Sequence, residues 1–145
     1  RRSGERGFVI SATQTGAVPA ADARHFTRVV DYDLAGNRVV SRGPLPASSE
    51  SLTHAAIYAV GAGICAIAHV HDSRLWQALQ GRVPTTDPAI AYGTPEMARE
   101  FARLWHSAGL AEIRIAVMGG HRDGLVSIGA NLAEAAGRLL EARLP

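Results

Sequence analysis

The chain has 145 residues, 47% of them apolar, with 15 basic and 13 acidic side chains and a net charge of +2. That length supports one domain, residues 1–145, with its own core. No apolar run approaches the roughly 20 residues of a bilayer span, and the scattered arginines form no basic stripe for nucleic acid. All 15 basic residues are arginine, so a lysine Schiff base and a Walker phosphate loop are excluded for this chain.

The opening residues, Arg1-Arg2-Ser3-Gly4-Glu5-Arg6, are polar and no secretory apolar segment follows them. The chain begins abruptly beside a strand, which predicts a missing N-terminal segment. Phe8–Ala12 reads as that strand, followed by a turn at residues 13–16 and a short helical turn at residues 19–22. Two short strands follow, at residues 29–33 and 38–41, joined by the hairpin turn Ala35-Gly36-Asn37. Gly43-Pro44-Leu45-Pro46 breaks the pattern, and Ser48-Ser49 offers an N-cap for a helix with Leu52, Ala55, Ala56 and Ala59 on one face.

Gly61 and Gly63 end that helix. Ile64–Val70 is an apolar run that reads as a buried strand emerging at His69-Val70-His71. A short helix is expected over residues 73–79 and a loop over residues 81–88. Thr94-Pro95 starts a longer helix with Met97, Phe101, Leu104, Trp105 and Ala108 as its core stripe. Strands are expected at residues 113–118 and 125–128. Asn131 then caps a last helix with Leu132, Ala135, Ala136, Leu139 and Leu140 on one face. Helices interspersed with hairpins and strands give an α/β layered domain with a mixed or antiparallel sheet.

The chemistry concentrates at the histidines. Side chains alternate along a strand, so His69 and His71 share a face and form half of a transition-metal site. His121, in the glycine-rich turn Gly119-Gly120-His121-Arg122-Asp123-Gly124, is aimed as a third ligand, and three neutral imidazoles would bind Zn2+ with a position left open. Glu50, near a helix start, suits an acid/base. Ser48, Ser49 and the backbone N–H groups there resemble an anion site, to which Thr15 and Gly16 add a hydroxyl and an open backbone N–H. His54 follows Glu50 by one helical turn in a supporting position. Asp72 either orients a ligand histidine or caps a helix. His25 and His106 show no partner. The lone Cys65 shares the face of His69, either as a small core residue or as a ligand, and its solitude fits a reducing, cytoplasmic setting.

Taken together, these pieces resemble the class II aldolase/adducin family. They run in that family's order: Ser48-Ser49-Glu50 with His54 and Tyr58; Ala68-His69-Val70-His71; Gly93-Thr94; Met118-Gly119-Gly120-His121; and Gly124-Leu125-Val126-Ser127-Ile128-Gly129. The resemblance implies a three-layer α/β/α sandwich around a mostly antiparallel sheet, commonly a homotetramer with active sites at subunit boundaries. It implies a divalent metal, usually zinc, on His69, His71 and His121, with Glu50 as acid/base. It also implies phosphate binding by the serines and the Thr15-Gly16 turn.

The expected activity is an aldolase-like lyase acting on a small hydroxy-carbonyl or sugar-like substrate. Epimerase, dehydratase and decarboxylase chemistry are alternatives on the same site, and an adducin-like interaction module is a non-catalytic one. Three departures stand out. Arg122-Asp123 is inserted after His121, where it is placed to alter access to the metal. The N-terminal helix and the Gly-Asn loop are absent from this sequence. The segment between the metal strand and Gly93-Thr94 is shorter than in sugar-phosphate aldolases and lacks a match to their substrate-facing tyrosine from a neighbouring subunit. A cupin-like reading rests on Gly63 preceding His69, but Leu75 and Trp76 stand where that motif needs a glutamate.

Overall fold

Alternation of buried and exposed residues decides the first sheet. In a computed structural model describing residues 5–142, β1 (Phe8–Ser11), β2 (Phe26–Asp33) and β3 (Arg38–Arg42) pair antiparallel in that order. Phe8 and Ile10 on β1 and Thr27 and Val29 on β2 point inward at a period of two, and an irregularity in the β2–β3 register between Val29 and Asp31 keeps Tyr32 on the same buried face. At the predicted hairpin, Asp33 Oδ1 accepts from the N–H groups of Ala35 and Gly36, and Asn37 adopts φ +51°.

Two early boundaries move. β2 begins at Phe26, three residues before the expected start. The helical turn forms at Ala23–His25 because Asp22 is extended and acts as its cap. The Asp22 carboxylate accepts from Arg24 N–H, and His25 Nδ1 accepts from Asp22 N–H, so His25 does have a partner.

The second sheet has the order β4 (Ala66–His71), β6 (Gly124–Gly129), β5 (Ile115–Val117), antiparallel throughout. One face, with Ala116, Val126 and Ile128, packs in a cluster with Ile57 of α1 (Ser51–Val60) and with Met97, Phe101 and Leu104 of α3 (Pro95–Ser107). The other face, with Val117 and Leu125, meets Leu75 of α2 (Ser73–Leu79) and Leu139 of α5 (Leu132–Ala142). Phe8, Ile10, Val29 and Tyr32 of the first sheet join the α1 side of this core. The mixed α/β fold with antiparallel sheets and flanking helices is therefore the expected one.

The strands form two three-stranded sheets, however, rather than one. The edges of β1 and β4 face each other across a cleft of about 450 Å³, lined by the consecutive residues Val9, Ile10 and Ser11 on one side and Cys65 to His69 on the other. A run of consecutive strand residues lines a cleft with its backbone edge, since its side chains alternate faces. The cupin-like alternative fails on these open, helix-covered sheets.

Other expectations need correction. The strand predicted from residue 113 starts at Ile115. Leu110–Ile113 is a helical turn, α4, bounded by Gly109 and Arg114 in left-handed conformation, and Ile113 is exposed. Helix α1 is buried on every side from Ser51 to Tyr58, because α3 covers one face and the sheets the other. On α5, Ala135 and Leu139 are buried, whereas Leu132 is exposed as the first residue of the helix and Leu140 as a residue at the edge of the apolar stripe. Among the described residues, no helix is long and apolar enough to cross a membrane.

Ile128, fully buried on β6, tests this packing. Ile128→Ala should destabilise the protein by about 2–5 kcal/mol in urea denaturation; a loss below about 1 kcal/mol would contradict the packing described.

Candidate metal centre

β4 carries His69 and His71 to the end of the second sheet on one face, paired in register with Val126 and Gly124 of β6. His69 Nδ1 lies 3.0 Å from the Leu125 carbonyl oxygen. A carbonyl only accepts, so Nδ1 carries the proton and Nε2 presents its lone pair. His71 Nε2 is 3.2 Å from it.

His121 arrives from the opposite side on the β5–β6 turn. Its N–H donates to Met118 O, its carbonyl accepts from Gly124 N–H, and Met118 N–H donates to Gly124 O. The His121 ring centroid is 5.2 Å from that of His69 and 4.6 Å from that of His71.

One nitrogen from each of the three histidines lies within 4.8 Å of the others. Tetrahedral Zn–N bonds of about 2.0–2.1 Å place ligand nitrogens roughly 3.3 Å apart. His69 and His71 already meet that spacing, and His121 needs only a small side-chain adjustment. Burial, then the neighbouring His121 and His71 rings, push His69 down to about 4 against the opposing Leu125 contact. Burial and His71 push His121 down to about 4. Both are neutral at pH 7, so this donor set fits a divalent ion of the zinc type. No other such group of His, Cys, Asp and Glu exists among the described residues, and Cys65 is not part of it.

Glu50 lies beside the cluster, 3% exposed, with neither carboxylate oxygen hydrogen-bonded among the described residues. Its Oε1 is 3.5 Å from His121 Nδ1. At pH 7 His121 is neutral, so this contact is not an ion pair, and it exceeds hydrogen-bond length. Burial raises the Glu50 pKa, with the Thr53 hydroxyl beside it opposing.

Glu50 is itself the N-cap residue of α1, although its side chain makes no cap bond. Ser48 and Ser49, expected to supply that cap, sit two and one residues earlier. The Ser48 Oγ accepts from Glu50 N–H and its carbonyl accepts from Ser51 Oγ, which fixes the backbone that aims Glu50.

All of the candidate residues come together. Thr15, Gly16, Ser48, Ser49, Glu50, His69, His71 and His121 line one cavity of about 590 Å³. The Thr15 hydroxyl donates to Ala12 O. His54 is buried on α1 with its ring T-shaped to that of Tyr58, and it lines the β1/β4 cleft instead. Asp72 takes its capping alternative, accepting from the N–H groups of Arg74 and Leu75. The Arg122 side chain is 89% exposed and does not line the cavity. Asp123 takes φ +65° in the turn.

One residue escaped the sequence reading. Tyr92 lines the same cavity, and its ring stacks on His121 at 4.1 Å and 20°. Its position directly before Gly93-Thr94-Pro95 marked only a helix start.

An α/β fold with a three-histidine, metal-capable cleft beside a buried carboxylate defines the class. The chain matches the Class II Aldolase and Adducin N-terminal domain over residues 5–143 and belongs to that family. Among solved structures it is similar to YgbL from Escherichia coli, provisionally assigned as an aldolase/epimerase/decarboxylase, with a TM-score of 0.60 and 22% identity. That match covers 90% of this chain and 66% of YgbL, so this chain spans a little under two thirds of that protein's length. No curated protein matches.

Buried His54 and half-buried His69 and His121 set a pH dependence. His54 is pushed down to about 3 by burial and the His69 charge, and His69 and His121 to about 4, from an ordinary value of 6.5. Between those values and 6.5 the unfolded chain binds more protons than the folded one, so stability falls as pH drops through that window. Glu50, shifted upward, acts in the opposite sense but is one group against three. The urea midpoint of metal-free protein should therefore fall between pH 6.5 and pH 4, less steeply in His54→Gln; a flat profile would contradict the burial described.

Proposed function

We propose that the chain is a divalent-metal-dependent, aldolase-like lyase acting on a small hydroxy-carbonyl or sugar-like compound. Zn2+ would be held by His69, His71 and His121. One observation carries the reading: three clustered imidazoles and a buried, hydrogen-bond-free carboxylate open on a single cavity. With no lysine in the chain to form a Schiff base, the ion supplies Lewis-acid stabilisation of charge on the substrate's carbonyl oxygen when bound.

The chain's own residues supply the rest. Glu50 moves the proton at the carbon beside the carbonyl. Its burial raises its pKa above the ordinary carboxylate value, the direction that suits a general acid/base. No arginine of the described residues lines the cavity, so hydroxyls and backbone N–H groups would hold the substrate. Ser48 Oγ accepts from Glu50 N–H and keeps its own hydrogen to donate, as does Ser49. Thr15 has committed its hydrogen to Ala12 and offers lone pairs, while the space around Gly16 is open. This lining suits substrate hydroxyls better than a dianionic phosphate.

Epimerisation, dehydration or decarboxylation would use the same proton transfer. An interaction module has no evident use for a buried carboxylate without a partner, which costs stability. By resemblance to the family, we propose a homo-oligomer, with a tetramer favoured. The lone cysteine supports a cytoplasmic setting.

Zn2+-loaded protein in D2O should exchange the proton beside the carbonyl of dihydroxyacetone, read by NMR, and chelation should stop it. Glu50→Gln should lower that exchange by about 100-fold or more while stabilising metal-free protein at pH 7. The sign follows from the raised pKa: the contribution of Glu50 is fully present only when it is protonated and is lost as pH rises through its folded value. Unchanged exchange in Glu50→Gln would remove Glu50 from the mechanism.

A further inference from the structure

Residues 84–92 form a strap over the histidine turn. The strap starts as a parallel addition to the outer edge of β5: Thr86 N–H donates to Val117 O and Val117 N–H donates to Pro84 O, at 3.0 and 2.9 Å. It then crosses Gly119 and Gly120 in close contact. Gly119 N–H donates to Thr86 Oγ1 at 2.9 Å. A Cβ on Gly119 would lie 2.3 Å from Thr86 O, and one on Gly120 would lie 1.9 Å from Ile90 O. Both obstacles are backbone atoms, so neither can swing aside as a side chain would. Beyond the crossing, Asp87 N–H donates to Glu100 Oε2 on α3, and Thr94 Oγ1 donates to Ala91 O. The strap is thus pinned on both sides of the segment that carries Tyr92.

The three histidines differ in how their rings are held. His69 is oriented through Nδ1 by the Leu125 carbonyl. His121 Nδ1 is buried with no hydrogen-bond partner among the described residues. A metal-binding histidine ordinarily donates its second ring N–H to a partner that fixes the ring plane. At His121 the flat face of Tyr92, 4.1 Å away, is in position to do this instead.

We infer that Tyr92 is the positioning residue for the third histidine. Its ring, delivered by the strap across the two glycines, holds the plane of the His121 imidazole in place of the missing hydrogen bond. This rests on the proposed metal role of the three histidines. It gives the Gly119-Gly120 pair a function beyond turning the chain, namely the close approach of the strap.

The test is a Co2+ titration of metal-free protein, reading the dissociation constant by chelator competition and the ligand-field absorption bands. Tyr92 is 48% exposed, so truncation leaves the core intact, and an unchanged thermal midpoint checks this. Tyr92→Phe keeps the ring and should match the parent protein in both readouts. Tyr92→Leu should bind about 2- to 10-fold more weakly, the range expected when an aromatic contact that pre-orders one side chain is lost, with altered bands. Should Leu leave affinity and bands unchanged, or should Phe weaken binding as much as Leu, the ring is not the positioning element. A parent protein that takes up no Co2+ overturns the metal reading itself, a result distinct from either of these.

Discussion

The register between β4 and β6 is the constraint on which the site depends. It places His71 opposite Gly124 and His69 opposite Val126. At Gly124 a Cβ would lie 2.9 Å from His121 O and 3.1 Å from its Cγ, so glycine there lets the His121 ring fold back beside His71. The same pairing brings the Leu125 carbonyl to His69 Nδ1. A one-residue slip would turn both strand histidines to the other face, where Ala68 and Val70 pack against α2 and α5. Burial of β6 on both faces opposes that slip, since it would exchange the apolar sets of the two cores.

Burial then gives these groups their chemistry. His69 and His121 lose their affinity for protons and keep lone pairs at neutral pH. Glu50, buried without a hydrogen-bond partner, is shifted the other way. Displacing neighbouring titratable groups in opposite directions separates metal-ligand from proton-carrier roles. The cost is a set of buried polar groups that packing alone would not select, a conflict expected at a functional site.

Much of this was legible in the sequence because it rested on short-range rules. His-x-His on an apolar run gives two ligands on one face by alternation alone, and the hairpin at Ala35-Gly36-Asn37 follows from turn chemistry. The approach of Glu50 and His121 was suggested by the glycine-rich turn and the helix start that carry them and strengthened by the resemblance, since 70 residues separate them and periodicity says nothing about such a distance. Tyr92 was missed because its position depends on the strap crossing Gly119 and Gly120. Those glycines read as a turn, while their other role, making room for backbone, needs the neighbouring segment to be seen. The division of the sheet was missed for a similar reason: nothing in β1 or β4 alone states whether their edges meet. The Ser48-Ser49 cap was misassigned because a serine hydroxyl can satisfy either a helix start or a turn two residues ahead, and that of Ser48 does the latter.

The central claim is that His69, His71 and His121 hold one divalent ion. Crystals of the zinc-loaded protein, measured on either side of the zinc absorption edge, test it most directly. The account predicts one anomalous peak per chain, about 2.0–2.1 Å from a nitrogen of each of the three histidines. A fully loaded crystal whose peak lies elsewhere, or on Cys65, would contradict it.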